Sequence, residues 1–157
     1  MRKIVLIMAF HLWLLNVYSQ GTAVNDRTAQ YNVAANKLGI EGYDPVAYFE
    51  EGKAVKGKPE FSVVYEGIKY QFSGSGHLDL FKKQPARYEP QYGGWCAYAM
   101  GSDGSKVDVD PETFKIADGK LFLFYNKFFT NTLKSWNKNE VALKKKADAN
   151  WPKFYHP

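Results

Sequence analysis

Two runs of period-two alternation, each closed by a turn dipeptide, restrict the fold of this chain more than any other feature. Phe61-Ser62-Val63-Val64-Tyr65 and Ile68-Lys69-Tyr70-Gln71-Phe72 flank Glu66-Gly67. Phe114-Lys115-Ile116-Ala117 and Leu121-Phe122-Leu123-Phe124-Tyr125 flank Asp118-Gly119. Successive side chains of a strand point to opposite faces, so each run has an apolar face to bury, and Asp-Gly suits a tight hairpin. A lone hairpin is marginal in water and needs a cover. Three helical stretches can supply it. Ser75 can cap a helix starting near His77, with Leu78, Leu80 and Phe81 on its apolar side and Pro85 ending it. Trp95 to Met100 reads as a helical turn closed by Gly101-Ser102-Asp103-Gly104. Phe129, Leu133, Trp136, Leu143 and Ala147 form one apolar stripe at helical spacing, divided near Asn137-Lys138-Asn139 and ended by Trp151-Pro152. Upstream, Gly42-Tyr43-Asp44-Pro45 is a turn signal and Val46-Ala47-Tyr48-Phe49 reads as a strand. The expected class is α+β: a small, mainly antiparallel sheet of hairpins with helices packed on it and a C-terminal helical extension.

The start of the chain reads differently. Met1-Arg2-Lys3 is basic, Ile4 to Leu15 is apolar apart from His11, and Val17 and Ser19 sit at −3 and −1 of a cleavage point before Gln20. That is the layout of a secretory signal peptide, and the run is too short to span a bilayer. The expected divisions are a signal peptide over 1–19, a polar N-terminal arm over 20–38, a single domain over 39–152 and a tail over 153–157. The domain is expected to be exported, periplasmic or secreted, with no stable membrane anchor after cleavage. Losing Arg2 and Lys3 lowers the formal charge from +5 to +3, so nothing here points to a nucleic-acid partner. With 45% apolar and 24% charged residues the chain is neither disordered nor fibrous, and its 17% aromatic content means that a few large rings dominate the core. A single cysteine excludes an internal disulfide framework and any multi-cysteine zinc site.

Five segments taken in order carry a resemblance. They are Gly42-Tyr43-Asp44-Pro45-Val46-Ala47-Tyr48-Phe49, Tyr70-Gln71-Phe72-Ser73, Pro85-Ala86-Arg87-Tyr88, Pro90-Gln91-Tyr92-Gly93-Gly94-Trp95-Cys96-Ala97-Tyr98 and Ala147-Asp148-Ala149-Asn150-Trp151-Pro152. Together they resemble exported YHS-domain proteins, in the branch described as YHS domain-containing (seleno)protein. The resemblance covers about residues 39–152. It implies a compact YHS-like core, a β-hairpin followed by a helix, extended at its C-terminus. It also implies soft or transition-metal binding, which cysteines around the hairpin and helix perform in the broader group. In some members of the branch selenocysteine stands where Cys96 stands here. This chain departs from the metal-binding pattern after its second strand: it has Ser73, Gly74, Ser75, Gly76 and His77 where the broader group has cysteines.

Cys96 therefore carries the candidate chemistry. Gly93-Gly94 lets backbone N–H groups approach it, and a helix start there favours a thiolate. Met100, four residues on, puts a thioether on the same helical face, and His77 can complete a three-coordinate site if its helix packs nearby. Thiolate with thioether suits Cu(I). Three readings stand open. The first is a binding domain that holds a soft transition-metal ion, copper foremost, through Cys96 with Met100 or His77, and exchanges it with a metal donor or acceptor. The second is a redox enzyme with Cys96 as its catalytic thiol, which needs an external thiol because no resolving cysteine exists. The third is a structural or partner-binding domain in which Cys96 is an inert buried residue. Exposure of the sulfur separates the third from the other two. The aromatic set Tyr88, Tyr92, Trp95 and Tyr98 reads first as core and second as a pocket lining. Lys144-Lys145-Lys146 reads as a solvated face, and Asp108, Asp110 and Glu112 lack the spacing of a calcium loop. No nucleophile elbow, phosphate loop, dinucleotide fingerprint or haem-attachment motif is present.

Overall fold

A computed structural model describes residues 27–155. The expected signal peptide, the first residues of the arm and His156 lie outside the described residues. The architecture is α+β: among the described residues, seven short α-helices and three separate two-stranded antiparallel sheets. The hairpins thus stay apart and do not merge into the one small sheet expected.

β1 (Lys58–Tyr65) pairs with β2 (Ile68–Phe72), Tyr65 facing Ile68 and Val63 facing Tyr70 across the Glu66-Gly67 turn. This register puts the alternating apolar residues on one face. Ile68, Tyr70 and Phe72 are sealed, with Phe61, Val63 and Tyr65 half-buried beside them. The register shifts between Lys58 and Ser62, where the strand bulges. β3 (Asp110–Ala117) and β4 (Lys120–Phe124) turn at Asp118-Gly119. All of Leu121 to Phe124 is buried, because β4 is a wall between two cores. Its period of two sends Leu121 and Leu123 into one core and Phe122 and Phe124 into the other.

The first core joins those leucines to the β1–β2 face, Ile40, Val46, Tyr48, Phe81 and Tyr88. The second holds Tyr92, Ala97, Met100, Trp136 and Ala147, covered by α5 (Ala97–Ser102), α6 (Thr132–Lys138) and α7 (Glu140–Asn150). A Cβ on Gly101 would overlap the backbone of Leu143, so α5 and α7 touch through a glycine. Ahead of the first hairpin, α1 (Arg27–Gln30) leads into residues that bond the domain, with Asn32 N–H donating to Gly93 O at 2.8 Å.

Three expectations are corrected. Val46 to Phe49 is not a strand: α2 (Ala47–Glu50) forms there, because Asp44 Oδ1 accepts from the N–H groups of Val46 at 2.9 Å and Ala47 at 3.3 Å. Those bonds satisfy donors that a first helical turn leaves open. α3 (Ser75–Lys83) starts two residues before His77, with Gly74 and not Ser75 at its N-cap. Pro85 ends that helix as expected, with Gln84 before it out of the helical region, and it also opens α4 (Pro85–Tyr88), at the position where a missing N–H is harmless. Phe129 does not belong to the C-terminal stripe. It stands fully exposed in the turn between β5 (Asn126–Lys127) and β6 (Thr130–Asn131), and the Asn131 side chain caps Leu133 so that α6 starts only at Thr132. The division expected near Asn139 is observed, between α6 and α7.

Candidate functional site

Cys96 is the N-cap residue of α5, pinned by its N–H to Val107 O at 2.9 Å, and it has no exposed surface. Its sulfur closes a ring of hydrogen bonds. Tyr125 N–H donates to Sγ at 3.4 Å, Thr132 Oγ1 lies 3.4 Å from Sγ, and the Thr132 hydroxyl donates to Tyr125 O at 2.9 Å. With the hydroxyl proton so placed, Thr132 Oγ1 has only a lone pair to offer, and the thiol donates to it. The ring is complete for a neutral S–H; a thiolate would have to turn the Thr132 hydroxyl away from Tyr125 O. Although it has no exposed surface, Cys96 is itself part of the lining of an open pocket of about 220 Å³, together with Tyr98, Asp103, Tyr125 and Thr132.

Met100 follows one helical turn later, but its side chain packs in the second core, whereas Cys96 belongs to the first. His77, on α3, points elsewhere. Its Nδ1 is 2.7 Å from Asp44 Oδ2 and 3.2 Å from Ser73 Oγ, and its Nε2 is 3.8 Å from Glu51 Oε1. It does not line the pocket above Cys96. The structure therefore does not bring Cys96, Met100 and His77 to one point. Among the described residues no group of three or more His, Cys, Asp or Glu side chains is placed to hold a metal ion. As arranged, the donor set does not fit a three-coordinate copper site.

A different site appears where the two ends of the described chain meet. Tyr92, Gly93 and Gly94 adopt φ values of 55°, 61° and 82° in succession. A Cβ on Gly93 would come within 2.6 Å of the Trp151 ring and 3.0 Å of Tyr31, so this glycine is required by both its backbone and its neighbours. The turn thereby forms the floor of a cleft walled by Tyr31 and Trp151, whose rings meet edge to face at 5.6 Å. Two adjoining cavities, of about 260 and 500 Å³, share Tyr31, Glu89 and Trp151 among their walls.

Glu89 is the polar centre of this cleft. Its Oε1 accepts from Tyr70 Oη at 2.7 Å and from Arg27 Nη2 at 2.6 Å. Arg27 also pairs with Glu66 and lies 4.4 Å over the ring of Tyr31. The guanidinium is buried, with Nε unpartnered. Burial pushes the Glu89 carboxyl above its ordinary value, with Tyr70 and Arg27 pulling the other way. Burial prevails because Glu89 is only 13% exposed and shares its cation with Glu66. Burial likewise pushes the Tyr31 phenol up to about 12. At the opposite lip, Asp148 accepts from Tyr92 Oη at 2.9 Å.

Sequence reasoning missed Glu89 because its partners lie 62 and 19 residues away and no local spacing reports them. Of the expected aromatic set, Tyr92 does line the cleft, whereas Trp95 donates from Nε1 to Gln30 O at 2.6 Å and Tyr98 lies in the pocket above Cys96. In the Asp108–Glu112 stretch, Asp110 accepts from Glu112 N–H and Thr113 Oγ1, and Glu112 accepts from Tyr43 Oη. Lys144 pairs with Asp118. No helix among the described residues is long and apolar enough to cross a membrane. Compared with family models, curated proteins and solved structures, the chain finds no match.

Proposed function

We propose that this chain is an exported binding domain whose working surface is the Glu89 cleft, with Cys96 in a structural role. One observation carries the reading: a largely buried carboxylate, bonded through a single oxygen, faces two aromatic-walled cavities. A concave apolar site with a few converging polar groups and a perturbed titratable side chain is the usual form of a small-molecule site. The basic and apolar start of the chain supports export, and the resemblance to YHS-domain proteins supports a binding role over a catalytic one. The test is a fragment titration followed by two-dimensional NMR. Shifts concentrated at Tyr31, Gly93 and Trp151 support the reading; a panel that leaves these residues unmoved refutes it.

A soft-metal role is the second reading, with copper held by the Cys96 sulfur alone beneath its open pocket. Its support is that pocket together with the family resemblance. Cu(I) titration of wild type and Cys96→Ser decides it: equal binding by the two ends the metal reading, and loss of tight binding in the variant reinstates it above the cleft.

A further inference from the structure

Arg27 reveals the chemistry that the cleft accepts. Its guanidinium is held by two carboxylates and lies over the rings of Tyr31 and Tyr65, at 4.4 and 5.4 Å from their centroids. A cation over an aromatic face, next to a carboxylate and out of water, gains from both. The cavity of about 260 Å³ repeats those ingredients on the other side of Glu89. Tyr31, Tyr92 and Trp151 give the rings, Glu89 and Asp148 give the carboxylates, and no lysine or arginine among the described residues lines it. Only Oε1 of Glu89 takes the Tyr70 and Arg27 bonds, and the second oxygen meets no donor among the described residues. Among the described residues, Glu66 and Glu89 together outnumber Arg27, the cation they share; Asp148, at the rim, is partly offset by Lys144.

We propose that the cavity between Glu89 and Asp148 binds a small organic cation of the amidinium or guanidinium class, stacked among Tyr31, Tyr92 and Trp151. The proposal rests on the reading of the cleft as the working surface and adds the charge of the ligand. Glu89 would take the ligand's N–H groups on its second oxygen, the rings would face its flat body, and Asp148 would supply long-range attraction from the rim.

Benzamidine and its neutral isostere benzamide are the probes, added to the mature protein and followed by NMR at the Trp151 indole and the Gly93 amide. The expected result is saturable shifts with benzamidine and affinity for benzamide at least about tenfold weaker, as a charge-assisted hydrogen bond predicts. Glu89→Gln is expected to weaken benzamidine roughly tenfold by the same conversion. Because Gln at this position also disturbs the Arg27 pair, Asp148→Asn serves as a second variant that keeps an acceptor for Tyr92 Oη. It is expected to weaken binding by about twofold to fivefold, in keeping with a partly exposed charge, with the effect shrinking as salt is raised. Equal shifts from both probes would overturn the cation preference while leaving the cleft a binding surface. Failure of both probes to move either residue would overturn the proposal, and failure of the neutral and anionic fragments of the wider panel as well would overturn the cleft itself.

Discussion

Asp44 has no exposed surface, yet it accepts four hydrogen bonds, from the N–H groups of Val46, Ala47 and Ser73 and from His77 Nδ1. One carboxylate thus fastens the start of α2, the end of β2 and the first turn of α3. Asp44→Ala leaves three backbone donors without an acceptor and is expected to cost about 3–5 kcal/mol, read as a lower urea midpoint. His77→Ala should cost clearly less, because the backbone bonds survive it; an equal or larger loss would show that the imidazole, and not the carboxylate, holds the junction. Of the turn read at Gly42-Tyr43-Asp44-Pro45, only Pro45 lies in a turn; Gly42 ends a 3-10 helix and Tyr43 is extended, bridging to Lys56. The tie to His77, 33 residues on, was not legible, since a buried carboxylate has no periodic signature. Glu89 gives a pH prediction. Its folded-state carboxyl, raised by burial, keeps its proton to higher pH than the unfolded chain does. The folded state therefore binds more protons across that window, and stability falls as pH rises from the ordinary glutamate value through the raised one. The unfolding free energy of wild type relative to Glu89→Gln should decline with pH over that interval. A relative stability that rises there would mean that Arg27 prevails over burial and the carboxyl is depressed.

The two long hairpins were readable because period-two alternation and the turns Glu66-Gly67 and Asp118-Gly119 are local signals that the tertiary structure did not override. The third hairpin was not. Its strands have two residues each, too few to show a period, and the spacing of Phe129 to Leu133 mimics a helix. Its turn residues are also the wrong ones. Phe128 and Phe129 take φ values of 50° and 63° and are 87% and 112% exposed. Large aromatic residues are strained there, and Asn-Gly is the favoured pair. Replacing Phe128-Phe129 by Asn-Gly is expected to stabilise the domain by about 1–2 kcal/mol in thermal or urea unfolding. A loss instead would mean that the rings pack on something in solution. Gly101 runs the opposite way. Alanine in a helix is normally better than glycine by about 1 kcal/mol. Here its methyl would meet the Leu143 backbone across the α5–α7 contact, so Gly101→Ala should destabilise by roughly 1–3 kcal/mol.

At the scale of the molecule, β4 divides two cores and the described chain ends close over one cleft. Tyr31 meets both Trp151 and Tyr155 edge to face, so residues far apart in sequence build the same wall. The family resemblance and local spacing both draw attention to Cys96, because a lone thiol between Gly-Gly and Met stands out locally. What they could not supply was the second strand of partners: the Tyr125 amide and the Thr132 hydroxyl, 29 and 36 residues away, that complete the thiol's hydrogen bonds. The proposed role of the cleft requires that sulfur to be covered and chemically inert. Native-state alkylation measures it directly. With iodoacetamide at neutral pH, Cys96 is predicted to react at least about 100-fold more slowly in the folded protein than in denaturing urea, at a rate set by opening of the structure. Labelling of the folded protein as fast as of the unfolded chain would contradict the account and return the chemistry to the thiol.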